Sequence, residues 1–178
     1  DVLARNVRAG NRDLRVFELG RVFLAREKGV LPEEKNRLAC LIAGLRSGLT
    51  WHAPGVEADF YDLKGTIESL LSALDLQGVR FIADTSLPYL HPGRACRIQR
   101  GDEILGVVGE VHPRVMEAMD VKSRAMVCEL DMDAVLQVWQ GLRKNYPEAS
   151  RFPASWRDAA FVVSRETPVQ CLLDIAWG

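Results

Sequence analysis

LHPGRACRIQRGDEILGVVGEVHPRV, residues Leu90 to Val115, contains the clearest reversal of direction in this chain. Ala95 to Gln99 reads as a short strand, and Arg100-Gly101-Asp102-Glu103 as the turn that closes it. Ile104 to Val111 returns as a second strand, so the two neighbours run antiparallel. His112-Pro113 then opens a helix to about Met119, with proline in the first turn, where its missing N–H costs nothing. Upstream, His91 to Gly93 and Pro88 read as loop.

Working outward, Asp62 to Leu74 is the most regular helix. Leu63, Ile67, Leu70, Leu71 and Leu74 share one face, an aspartate at 59 or 62 can cap the free amides, and Gly78 lies just past the end. Val79 to Ala83 follows as a strand. Leu14 to Ala25 is extended and apolar on both faces, which predicts a strand covered on both sides. After a charged loop through Pro32 and Lys35, Arg37 to Leu45 is another apolar strand, and Ser47 to Ala58 a loop. Ala125 to Leu130 is a strand, and Asp131 caps a helix to about Gln140. Strands and helices alternate around a hairpin, so the fold class is α+β: a mainly antiparallel sheet flanked by helices. Asp1 to Ala9 reads as the end of a helix, stopped by Gly10-Asn11.

Residues 1–142 make one domain on this reading, and the polar run 143–151 a linker. Residues 152–178 offer one strand (Ala159 to Val163) and one helix (about Pro168 to Trp177), too little to bury a core of their own. The chain begins at Asp1 and stops within that helix, so it reads as a piece of a longer polypeptide. Of its 178 residues 48% are hydrophobic and 26% charged, a globular profile. A net charge of −1 gives no global attraction to nucleic acid or an anionic membrane. No apolar run nears the roughly 20 residues that cross a bilayer, and no signal peptide is recognisable. Cys40, Cys96, Cys128 and Cys171 are widely spaced and form no CxxC pair, so they read as free thiols of a reducing compartment rather than zinc ligands or a disulfide lattice.

Several phrases together resemble the synthetase-core-like part of the bacterial phenylalanyl-tRNA synthetase beta subunit. They are DVLARNVRAGNRDLRVFELGRVF (Asp1 to Phe23), DFYDLKGTIESLLSAL (Asp59 to Leu74), YLHPGRACRI (Tyr89 to Ile98) and GVVGEVHPRV (Gly106 to Val115). RFPASWRDAAFVV (Arg151 to Val163) is similar to the first strand of that family's ferredoxin-like anticodon-binding domain, here incomplete. The resemblance implies a class II aminoacyl-tRNA synthetase-like sheet that supports a catalytic alpha subunit in an α2β2 cytoplasmic assembly. The complete enzyme would use ATP and Mg2+ to join phenylalanine to tRNA, and tRNA would be met through the intact beta subunit. It also implies that the opening helix-then-strand makes subunit contact, with Val2, Leu3, Asn6 and Val7 as interface residues. No membrane partner is implied.

An active core of this class presents one arginine to the ATP α-phosphate and a second from a glycine-rich strand-helix, because the phosphates need charge neutralisation. Neither phrase occurs here; the second position reads MVCELDMDAVLQVW (Met126 to Trp139). No catalytic, cofactor-binding or metal residue is therefore assigned in this chain. The alternative is a stand-alone class II synthetase-like paralogue with amino-acid-activating activity, and the missing arginines weigh against it. An isolated RNA-binding domain fits the charge balance less well.

His91, Glu110 and His112 include residue types that hold zinc, but their sequence contexts differ and nothing in their spacing joins them, so loop or cap roles are expected. Arg5, Arg8, Arg12 and Arg15 would make a basic ridge only if the helix ran on through Gly10-Asn11. Arg94 and Arg97 read as the polar face of a strand. Gly106 and Gly109, inside an apolar strand, allow close approach of a neighbour rather than forming a phosphate loop.

Overall fold

The computed structural model describes residues 1–48, 50–52, 54–140, 152–153 and 155–177. The chain divides into two compact units, Asp1–Arg143 and Lys144–Gly178. The linker read at residues 143–151 lies outside the described residues.

The first unit opens with helix α1 (Val2–Arg8), followed by β1 (Leu14–Leu24), β2 (Glu33–Ala43), β3 (Leu45–Ser47) and β4 (Val56–Glu57). Helix α2 (Phe60–Ala73), β5 (Val79–Ala83), β6 (Leu90–Arg100) and β7 (Glu103–Val111) come next. Helix α3 (Pro113–Ala118), β8 (Ala125–Asp131) and α4 (Met132–Gln140) complete it. Six strands form one sheet in the order β1-β2-β8-β7-β6-β5, and every neighbouring pair is antiparallel. β3 and β4 make a small separate ribbon.

Local chemistry explains the elements. Asp59 caps α2 by accepting from the Tyr61 and Asp62 amides at 2.8 and 3.2 Å, while Asp62 accepts from the Asp59 amide at 2.7 Å. This reciprocal cap starts the helix two residues before the expected Asp62. Asp131 Oδ1 accepts from the Asp133 and Ala134 amides and launches α4. The β6–β7 hairpin turns at Gly101, whose φ of +57° suits glycine. Gly106 lets β7 and β8 close up: a Cβ there would sit 2.9 Å from the Leu130 Cα.

The register assigns side chains to two faces. Phe17, Cys40, Cys128 and Val108 fall on the face against which α2 and α4 pack, with Leu63, Ile67, Leu71 and Val135 filling the core. Val16, Leu41 and Val127 fall on the other. One end of that face is covered by residues of this unit, where Leu3 and Ala4 of α1 and Met116 beside Val121 meet Leu14, Ala43 and Ala125.

Several expectations change in this unit, and the segment Ser47 to Ala58, read as loop, holds the short strand β4. β1 is not sandwiched: it is the sheet's edge, and all but Leu14 of its residues are exposed. β2 starts in the charged segment at Glu33 because it must pair with β1 as far as Leu24. β6 starts at Leu90, so the His91–Gly93 segment is a bulged part of the strand rather than loop, with a register shift between Leu90 and Ala95.

In the second unit, α5 (Val169–Trp177) occupies the helical segment. Residues 159–163, expected as a strand, form no strand among the described residues, and a strand needs a neighbour to hold its backbone hydrogen bonds.

A candidate docking surface on the sheet edge

β1 reads LRVFELGRVFL, with Arg-Val-Phe twice, six residues apart. An even spacing returns each residue type to the same face of a strand. Phe17, Leu19 and Phe23 therefore share the helix-bearing face, opposite Cys40, Leu38 and Glu34 of β2. They are 77%, 63% and 61% exposed. Val16, Glu18 and Val22 share the other face, opposite Leu41, Ala39 and Lys35.

A hollow flanks the strand on each side. On the helix-bearing face one of about 480 Å³ runs between β1 and α2, lined by Phe17, Leu19, Leu38, Leu63, Leu70 and Met132 among others. On the open face one of about 340 Å³ is bounded by Val2, Val16, Glu18, Leu41, Tyr89, Val107, Val127 and Glu129. An edge with apolar side chains on both faces and backbone groups free of a neighbouring strand is a surface suited to a partner.

The four residues assigned to an interface from sequence separate here. Leu3 is buried at 4% exposure by Leu14, Met116 and Val121, and Val7 packs beside it, so these two belong to the unit's own core. Asn6 donates from Nδ2 to the Val2 carbonyl and stabilises its own helix. Val2 alone of the four is exposed, and it borders the open-face hollow. The accessible apolar surface lies one element further on, in β1. The sequence reading included the strand after α1 in the contact surface but named no residue of it, because a continuous apolar strand reads alike whether a helix or another protein covers it. The interspersed Arg15, Glu18 and Arg21 were the available signal for an edge.

The remaining candidates are absorbed by structure. His91 Nδ1 accepts from the Gly93 amide and His112 Nδ1 from the Arg114 amide, each at 3.1 Å, so both act as local caps. Glu110 is buried and accepts from Arg94 at 2.8 Å and from Arg124 at 2.7 and 3.2 Å. Burial pushes its carboxyl up, but the hydrogen bonds from Arg124 and Arg94 outweigh that and hold it below the ordinary range. Arg97 pairs with Asp84 at 2.7 Å; two hydrogen bonds from Ser86, then Arg97, bring the Asp84 carboxyl down to about 2. Arg15 donates to the Leu45 and Arg46 carbonyls and ties β1 to β3 rather than joining a basic ridge. Cys40 and Cys128 face each other across β2 and β8, and burial raises both thiols above their ordinary range. Gly109, as expected, admits a close neighbour: a Cβ would lie 2.9 Å from the Arg94 carbonyl oxygen.

Residues 1–132 match the family described as phenylalanyl tRNA synthetase beta chain CLM domain. A phenylalanine–tRNA ligase beta subunit from Syntrophus aciditrophicus is 42% identical over 175 residues, 98% of this chain and 22% of that protein. The beta subunit from Syntrophotalea carbinolica is 37% identical over 168 residues, 94% of this chain and 21% of that one. The chain thus spans about a fifth of the length of the curated relatives it matches. Among solved structures, a pyrrolysyl-tRNA synthetase from Desulfitobacterium hafniense superposes with a TM-score of 0.57 at 15% identity, over 79% of this chain and 46% of its own. That likeness is one of fold.

Proposed function

Because this chain belongs to the phenylalanyl-tRNA synthetase beta-chain family, we propose that residues 1–142 are a non-catalytic, class II synthetase-core-like module of a phenylalanine–tRNA ligase beta subunit. Its work is to support the alpha subunit, which attaches phenylalanine to tRNA using ATP, in an α2β2 cytoplasmic assembly. Residues 143–151 act as a linker, and residues 152–178 begin a ferredoxin-like anticodon-binding domain through which the intact beta subunit meets tRNA. The complete enzyme uses ATP and Mg2+, and on this reading the residues that hold them lie outside this module, because the two phosphate-binding arginine phrases do not occur in its sequence. The stand-alone amino-acid-activating paralogue is not favoured, since the relatives at this level of identity are named as beta subunits.

The observation that carries this reading is the open edge β1, with three large apolar side chains exposed on one face. The module docks the alpha subunit there. Phe17→Asp in the full beta chain tests it: pull-down and sedimentation with the alpha subunit are expected to show at least about a 10-fold loss of association, because a charge replaces an interface aromatic. The melting temperature should stay unchanged, since the side chain is already in water. Undiminished assembly would sink the docking reading.

A further inference from the structure

Glu18 of β1 and Glu129 of β8 both line the open-face hollow. Glu18 lies opposite Ala39, and Ala39 lies opposite Glu129. With strands spaced about 4.8 Å apart, the two glutamate backbones stand about 10 Å from one another. Only the methyl of Ala39 lies between them at that level. Leu41, Val107 and Val127 form an aliphatic bed alongside. Among the described residues no cation pairs with Glu18. Arg37 reaches Glu129 at 3.7 Å but is closer to Asp131, at 3.2 Å, so its charge is shared. The hollow is acidic at its rim and apolar at its base.

We propose that this hollow receives one basic side chain, lysine or arginine, from the polypeptide that docks on β1. The inference rests on the docking reading above and gives it a charge latch. A lysine or arginine stem is aliphatic and would cover Ala39, Leu41 and Val127, while its head reaches two carboxylates. The complementarity is therefore both apolar and ionic. A free small cation gains little here, because the hollow is open and offers no wall to bury it. A polypeptide gains the adjoining strand edge as well, since Val16 and Phe17 border this hollow and the one on the helix-bearing face. A charge meeting its counterpart at such an edge governs encounter and register more than raw affinity.

The test uses the full beta chain with its alpha subunit and compares wild type, Glu18→Gln/Glu129→Gln and Phe17→Asp at low and high NaCl. Both glutamates are exposed, so the double variant should melt like wild type. The latch predicts about 10- to 100-fold weaker association for the double variant at low salt, with a flattened salt dependence. Phe17→Asp should weaken association at every salt concentration. Wild-type affinity and salt slope in the double variant, with Phe17→Asp still disruptive, would overturn the latch and leave the docking reading standing. No effect of either variant would overturn both. If the beta chain self-associates without the alpha subunit and the double variant abolishes that, the occupant is a second copy and the proposal is wrong.

Discussion

Replacing Arg94 and Arg124 together by methionine would strand the Glu110 carboxylate without a partner, whereas replacing Glu110 leaves two half-exposed guanidiniums that water can reach. The two perturbations remove the same three hydrogen bonds. Their costs should still differ, because the burial belongs to the carboxylate. A stranded carboxylate can escape by taking up a proton, which at pH 7 costs about 3.7 kcal/mol from an ordinary glutamate pKa. The double arginine variant should therefore lose about 3–4 kcal/mol at pH 7, close to that ceiling. Glu110→Ala should lose only about 1–2 kcal/mol, since the freed guanidiniums hydrate. The pH dependence has opposite signs in the two proteins. In wild type the folded pKa lies below the unfolded one, so the contribution is full above the unfolded value and lost as pH falls through the folded value. In the double variant burial alone raises the folded pKa, so its deficit is small near pH 4 and grows as pH rises. Urea unfolding followed by circular dichroism at pH 4.5 and 7.5 reads both effects. An equal deficit at the two pH values, or a Glu110→Ala variant as unstable as the double arginine variant, would refute the reasoning.

Two further outcomes follow from backbone contacts. Gly106→Ala should destabilise by about 1–3 kcal/mol in the same unfolding assay, because its Cβ would press on the Leu130 backbone and the Glu129 carbonyl across β7 and β8. Asp59→Ala should cost about 1 kcal/mol by removing the α2 cap, and Asp59→Asn should recover most of it, which separates the cap from the Arg46 ion pair.

What was legible in the sequence is what short-range chemistry fixes. The α2 helix announces itself through Asp59, Asp62 and a five-residue apolar face, all within one segment. The β6–β7 hairpin is written in Arg100 to Glu103. The strands' positions in the sheet are another matter. Whether Leu3 is an orphan or a core residue depends on Met116 and Val121, which lie more than a hundred positions away. Whether β1 is central or at the edge depends on which strands pair beside it, and among the described residues only β2 does. The apolar run alone could not distinguish the two. Residues 159–163 carry strand-forming side chains yet pair with no other described residue, and propensity without a partner does not make a strand.

The arginines make the same point about function. The fold is shared with a synthetase. On the open face, however, Arg37 is shared between Glu129 and Asp131, and Arg97 is held by Asp84. Glu18 and Glu129 stand forward instead. A basic side chain meets complementary charge and an aliphatic floor. The fold is shared with a synthetase, while Glu18 and Glu129 on the open face suit the basic side chain proposed above better than a phosphate.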